Sequence, residues 1–149
     1  LGEICDKQKE TDVIVQRIKN AAADLLPANS QVEKKRTVAY LIWKDPYLVA
    51  AKNTFIDELL KYLELDNFFE NQERYPEWKP EANNAPDVIF LSSEPYPFQE
   101  KHAAELKAVL PNTSIHLVDG EMFSWYGSRL QWSFDYFEKL KVELPPANY

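Results

Sequence analysis

The chain has 149 residues, 45% hydrophobic and 28% charged, which gives enough apolar material for one domain with its own core. A formal net charge of -7 argues against a surface that displaces counterions from nucleic acid or an anionic membrane. No run of 18 apolar residues has the length of a membrane-spanning helix, the first ten residues lack the hydrophobic region of a signal peptide, and a single cysteine, Cys5, excludes an internal disulfide framework.

In chain order, Ile4, Ile14, Ile18, Ala22, Leu25 and Leu26 predict an amphipathic helix over residues 3–26, with Cys5 on one of its faces and Pro27 ending it. Residues 28–36 are polar and read as a surface connection, its basic run Lys34, Lys35 and Arg36 solvated. Residues 37–43, TVAYLIW, are apolar at both odd and even positions, as expected of a strand covered on both faces. Pro46 then breaks the run, since it has no amide hydrogen for a ladder. Thr54 and Asp57 have capping-box spacing, and Phe55, Leu59, Leu60 and Leu63 follow on one face, predicting a helix over residues 54–65. Residues 66–86 carry Pro76, Pro80 and Pro86 and read as irregular, with at most a helical turn. Residues 87–91, DVIFL, are a second buried strand, and Pro95 and Pro97 stiffen its exit. Ala103, Leu106, Val109 and Leu110 predict the buried side of a helix over residues 99–110. Residues 115–118 are a third strand, and Leu130, Phe134, Phe137 and Leu140 mark a final helix that starts near Ser128 and ends before Pro145. This alternation predicts parallel strands joined by right-handed crossovers, a three-layer αβα sandwich in the α/β class with a small parallel sheet.

If the strands are parallel, their exits share one sheet edge, where open α/β sheets hold ligands. The exits are WKDPY (43–47), SSEPYPF (92–98) and DGEMFSWYGSR (119–129). Together they bring Trp43, Tyr47, Tyr96, Phe98, Phe123, Trp125 and Tyr126 to that edge, with Asp45, Glu94, Asp119, Glu121 and Arg129. Aromatic faces with a few charges suit a large, flat or partly apolar ligand. Gly120 and Gly127 suggest backbone geometry that a side chain would obstruct. Arg129 either forks onto an anionic ligand group or pairs with Asp119 or Glu121. Asp45, Glu94 and Glu121 are the acids from which a hydrolase would draw its pair, although no spacing demands one. The serines lack a nucleophile elbow, no glycine-rich phosphate loop follows a strand, and His102 and His116 lack partners at metal-ligand spacing and read as surface or partly buried residues.

The motifs IWKDPY, TFIDELL, RYPE, PDVIFLSSEPYPF and LVDGEMFSWYGSRL resemble the C-terminal lobe of ABC-transporter solute-binding proteins of the helical-backbone class, which capture cobalamin, haem and ferric siderophores. The resemblance covers about residues 36–140. It implies two αβα lobes bridged by one long helix, with residues 1–27 as the end of that helix and 28–149 as the C-terminal ligand-binding lobe. It further implies a missing N-terminal lobe, an ABC permease as membrane partner, and a periplasmic or otherwise extracytoplasmic location, membrane-associated through the transporter. Trp43, Tyr47, Glu94, Tyr96, Phe98, Phe123, Trp125 and Arg129 match positions lining the ligand cleft. The class presents a permease-docking acid near the start of the helix after the first strand; the closest position here is Asn53, which leaves Asp57, Glu58 or no residue in that role. After RYPE the pattern WKPEANNA is shorter than the family's helix at that place and is broken by Pro80.

The expected function is thus non-catalytic capture of a metal-bearing cofactor or chelate for import. The metal would arrive inside its ligand, with no metal bound by protein side chains, no resident cofactor and no catalytic residue. The rival readings are a small αβα hydrolase using Asp45, Glu94 or Glu121, and a protein-interaction module whose aromatic edge meets another chain.

Overall fold

The computed structural model of the chain describes residues 6–26 and 35–144, so Cys5, most of the connection before the first strand, and Pro145 and Pro146 lie outside the described part. The first helix, α1 (Gln8–Leu25), places Ile18, Ala21, Ala22 and Leu25 against the core. It ends at Leu26, whose extended conformation is what a following proline imposes.

Three strands form the parallel heart of the sheet, as the apolar runs predict. β1 (Arg36–Trp43) pairs in parallel with β5 (Val88–Ser92), and β5 with β6 (Ser114–Val118). The register is pinned at the start of the sheet. There the Asp87 carboxylate accepts from the Thr37 backbone N–H at 2.8 Å and from its hydroxyl at 2.9 Å. Opposite parities of β1 and β5 then serve two cores. Val38, Tyr40, Val88 and Phe90 face α1 and the helices near the C-terminus, whereas Ala39, Leu41, Ile89 and Leu91 face Leu106, Leu110, Phe69 and Trp78. Helices on both faces complete the αβα layering.

The sheet is larger than expected and mixed. The turn at residues 44–46 does not end the sheet; it folds the chain back so that β2 (Tyr47–Val49) pairs antiparallel with β1. β3 (Leu65–Asn67) pairs in parallel with the first three residues of β1, and β4 (Glu77–Trp78) pairs antiparallel with β2. The path is β4-β2-β1-β5-β6, with β3 beside β1. The segment expected to be irregular therefore supplies two short strands, and its Phe69 and Trp78 are buried. β6 ends the path, which leaves Leu117 exposed on a strand expected to be covered.

The helices start and stop where their sequences direct. α2 (Phe55–Leu60) is capped by Thr54, whose hydroxyl accepts from the Asp57 N–H at 3.1 Å, and a 3₁₀ turn (Lys61–Leu63) extends it. α3 (Glu100–Val109) buries Leu106 on the sheet. Val109, expected on the same stripe, is exposed instead, because it falls roughly 60° beyond Leu106 at 100° per residue, past the covered face. α4 (Gly120–Ser124) lies within a stretch expected to be loop, a 3₁₀ turn (Gly127–Arg129) leads into the helix expected to start near Ser128, and α5 (Leu130–Glu143) buries Phe134, Phe137 and Leu140 as the stripe predicts. Lys141 joins α5 to the end of α1: its ammonium pairs with Glu64 and donates to the Leu25 carbonyl at 3.4 Å. A cation there also complements the negative end of the α1 dipole.

Candidate ligand-binding site

The C-terminal ends of β1, β5 and β6 lie side by side, and backbone bonds lace their exits together. The Ser93 N–H donates to the Val118 carbonyl at 3.0 Å, the Gly120 N–H donates to the Ser93 hydroxyl at 2.9 Å, and the Tyr96 N–H donates to the Ile42 carbonyl at 3.3 Å. Beneath them, the buried Tyr40 hydroxyl donates to Ser92 Oγ at 3.0 Å, and burial raises that phenol's pKa far above its usual value. Ser92 Oγ in turn donates to the Glu94 carbonyl, which fixes the start of the second exit.

Gly120 is required by this lacing. A Cβ there would stand 2.4 Å from Ser92 Oγ and 2.9 Å from the Glu94 backbone nitrogen. Ser92 has no space to retreat, being fully buried. Gly120→Ala is therefore expected to cost about 1–3 kcal/mol, the range for overpacking a filled interior. Urea denaturation checks it, and an unchanged midpoint would mean that the exits can separate freely. Gly127 is needed for a different reason: its φ is +67°, and nothing crowds its Cβ position.

The aromatic residues separate into two groups, one over each face of the sheet. On the α3 side, Trp43 (42% exposed) meets Tyr96 edge-on with centroids 5.6 Å apart, and Tyr96 packs on Phe98 at 4.8 Å. Phe98 is only 6% exposed and belongs to the core beneath, while Tyr47 is half-buried beside it. On the opposite side, Trp125 is half-buried with the Arg129 guanidinium 3.9 Å from its ring centroid, and Tyr126 (69% exposed) stacks on Phe55 at 4.3 Å. Glu94 is exposed and lies next to Gly120, between the two groups.

Two site expectations are corrected by these positions. Phe123 does not line the edge; it is 0% exposed, with Tyr40 and Phe137 rings 4.9 Å and 4.8 Å away, because α4 turns it inward. Arg129 pairs with neither Asp119 nor Glu121. The Asp119 carboxylate is engaged in capping α4 through the Glu121 N–H at 3.0 Å, and the guanidinium lies on Trp125 instead. Of the two acids that the resemblance offers for docking, Asp57 is half-buried and accepts from the Asn67 side-chain amide at 2.8 Å, a clasp between α2 and β3. Glu58 remains exposed and is bridged to Lys61 at 2.7 Å. Asp45 and Glu94 are exposed and Glu121 is half-buried; among the described residues, no three His, Cys, Asp or Glu side chains form a group able to hold a metal ion. A polar pocket of about 320 Å³, lined by Lys52, Asp57, Lys61, Asp66, Asn67 and Glu70, lies on the β3 flank away from the aromatic edge.

One residue of this region, His102, reads from the sequence as surface or partly buried, which misses its place among the aromatic rings. His102 is 4% exposed and sits between Tyr96 and Phe98, with ring centroids 5.5 Å and 5.6 Å away. Its Nδ1 accepts the Gln99 backbone N–H at 3.0 Å, across the three-residue step from the N-cap that a glutamate or glutamine would ordinarily span. That spacing at the head of a predicted helix was the available signal.

A family model described as periplasmic binding protein matches residues 1–111. Among solved structures, the chain is similar to the periplasmic heme-binding protein RhuT of Roseiflexus sp. RS-1 in its apo form, at 15% identity and a TM-score of 0.73 over 95% of this chain and 57% of that one. It is also similar to an ABC transporter substrate-binding protein of Listeria monocytogenes (19% identity, TM-score 0.74, 96% and 61% covered). A third is S. aureus IsdE complexed with heme (15% identity, TM-score 0.70, 93% and 60% covered). Likenesses at these identities establish the fold, and the chain spans less than two thirds of the length of each of these structures. Among curated proteins, no match to the chain is found.

Proposed function

The chain belongs to the periplasmic binding protein family, and from that premise we propose that it is the C-terminal lobe of a two-lobe solute-binding protein that captures a metal-bearing cofactor or chelate for an ABC importer. The ligand class is haem, a ferric siderophore or cobalamin, with its metal carried inside it. α1 is then the end of the helix that bridges the lobes, residues 28–149 are the lobe itself, and the protein works outside the cytoplasm, as the family implies.

The observation that carries the reading is the laced edge with aromatic rings over both faces of the sheet. Trp43 is exposed and Tyr96 and Trp125 are half-buried there, so all three keep accessible surface for a flat ligand. A second lobe closing over that edge would remove the ligand from water and raise the share of its surface that is buried. Tyr47 and Phe98 support the rings from below, and Glu94 and Arg129 supply charge of both signs at the rim. Glu58 is the docking acid on the permease side, since Asp57 is engaged with Asn67.

The test joins the chain to an N-terminal lobe and titrates haem, a ferric siderophore and cobalamin into the product. At least one is expected to bind, and Tyr96→Ala and Trp125→Ala are each expected to weaken that binding by about 1–3 kcal/mol, the scale of an interface hot spot. Affinity untouched by both substitutions would refute the aromatic edge as the site.

A further inference from the structure

The hydrogen-bond roles around His102 follow from its neighbours. The Gln99 backbone N–H can only donate, so Nδ1 must offer a lone pair to accept it. A neutral imidazole with a lone pair on Nδ1 carries its proton on Nε2, and Nε2 faces the Tyr96 hydroxyl at 3.4 Å. Nε2–H therefore donates to the phenol oxygen, and the phenol's own proton is left to point elsewhere. Tyr96 in turn supports the exposed Trp43 ring.

We propose that His102 is the positioning residue of the α3-side aromatic group: it fixes the Tyr96 ring and sets its hydroxyl as a donor, so that this part of the edge selects a ligand oxygen acceptor such as a carboxylate or carbonyl. The proposal rests on the reading above that Tyr96 lines the ligand cleft. It also makes the edge sensitive to acid. A second proton on the ring would place an N–H on Nδ1 against the Gln99 N–H, two donors facing each other. It would break the cap at the start of α3, and a ring displaced by that repulsion would carry its Nε2–H away from Tyr96.

The surroundings set the direction of that sensitivity. Lys44 and Asp45 face the ring from the β1–β2 turn, Tyr47 stands on β2, and Lys101 and Glu105 lie on its own helix, with Lys44 paired to Glu105. Burial, then Lys44 and Lys101, push the His102 pKa below its usual 6.5, against the opposing pull of Glu105 and Asp45. A depressed pKa means that the neutral ring stabilises the fold above 6.5, and that this contribution is lost as pH falls through 6.5 towards the lower native value.

The test is nitrogen-15 and aromatic NMR of the 149-residue chain, which needs no ligand and so stands or falls separately from the capture reading. The expected result is a His102 ring protonated on Nε2 at neutral pH, titrating below 6.5, with the Gln99 amide and the Tyr96 ring signals moving at the same midpoint. In His102→Gln the side-chain carbonyl can still accept the Gln99 N–H, so α3 should remain capped while the Tyr96 signals lose their acid-induced shift. An Nδ1–H tautomer, a midpoint at or above the usual value, or Tyr96 signals that titrate unchanged in His102→Gln would overturn the proposal.

Discussion

Phe123→Ala is expected to destabilise the chain by about 3–5 kcal/mol, whereas Trp125→Ala, two residues away, is expected to remove only about 1 kcal/mol. The difference comes from which side of α4 each ring occupies. Phe123 lies among Tyr40, Phe90 and Phe137, fully buried under the point where β1, β5 and α5 converge, and the cavity it leaves has no solvent to fill it. Trp125 follows the helix, caps its end through a backbone bond to the Glu121 carbonyl at 3.0 Å, and has one ring face covered by a single exposed arginine. Urea unfolding of both variants, with equal denaturant slopes as the control for two-state behaviour, measures the contrast. Equal losses for the two would place Trp125 in the core and remove one of the two aromatic groups from the edge.

The same pair shows what the sequence could and could not disclose. Strands such as TVAYLIW and DVIFL were legible because burial on both faces removes polar residues from every position, and that pattern survives in a single sequence. The stripe of Leu130, Phe134, Phe137 and Leu140 was legible because fourteen helical residues repeat the spacing several times. α4 has five residues, little more than one turn, so nothing periodic separates its inward Phe123 from the Trp125 that follows it. β2, β3 and β4 have three, three and two residues, too few to show alternation; β3 and β4 are held as strands by neighbours distant in sequence, and β2 by its hairpin with β1, rather than by their own propensity. Pro46 was read as a stop, correctly for β1, but a stop followed by a reversal is a hairpin, and Tyr47 begins its second arm. Gly120 was legible as a site of close approach, though not the atoms it approaches, since Ser92 and Glu94 are brought there only by the pairing of β5 with β6.

The 149-residue chain alone is expected to bind haem, a ferric siderophore or cobalamin at least about a thousandfold more weakly than the same chain joined to an N-terminal lobe. A cleft between lobes covers most of its ligand, whereas a single edge covers one side, and Trp43 and Tyr126 stand exposed here as rings would that await a second surface. Losing even ~4 kcal/mol of contact accounts for three orders of magnitude in affinity. Little of this loss should come from misfolding, because the described part of the chain has two cores of its own and an α1 anchored on α5 through Ile18, Ala22, Leu25 and the Lys141 contact. Calorimetric titration of each ligand into both forms, with circular dichroism confirming that the single lobe is folded, gives the comparison. Sub-micromolar binding by the isolated chain would show a site complete within it. The closing of a second lobe would then be unnecessary for capture, and the edge between Trp43 and Trp125 would have to enclose the ligand unaided.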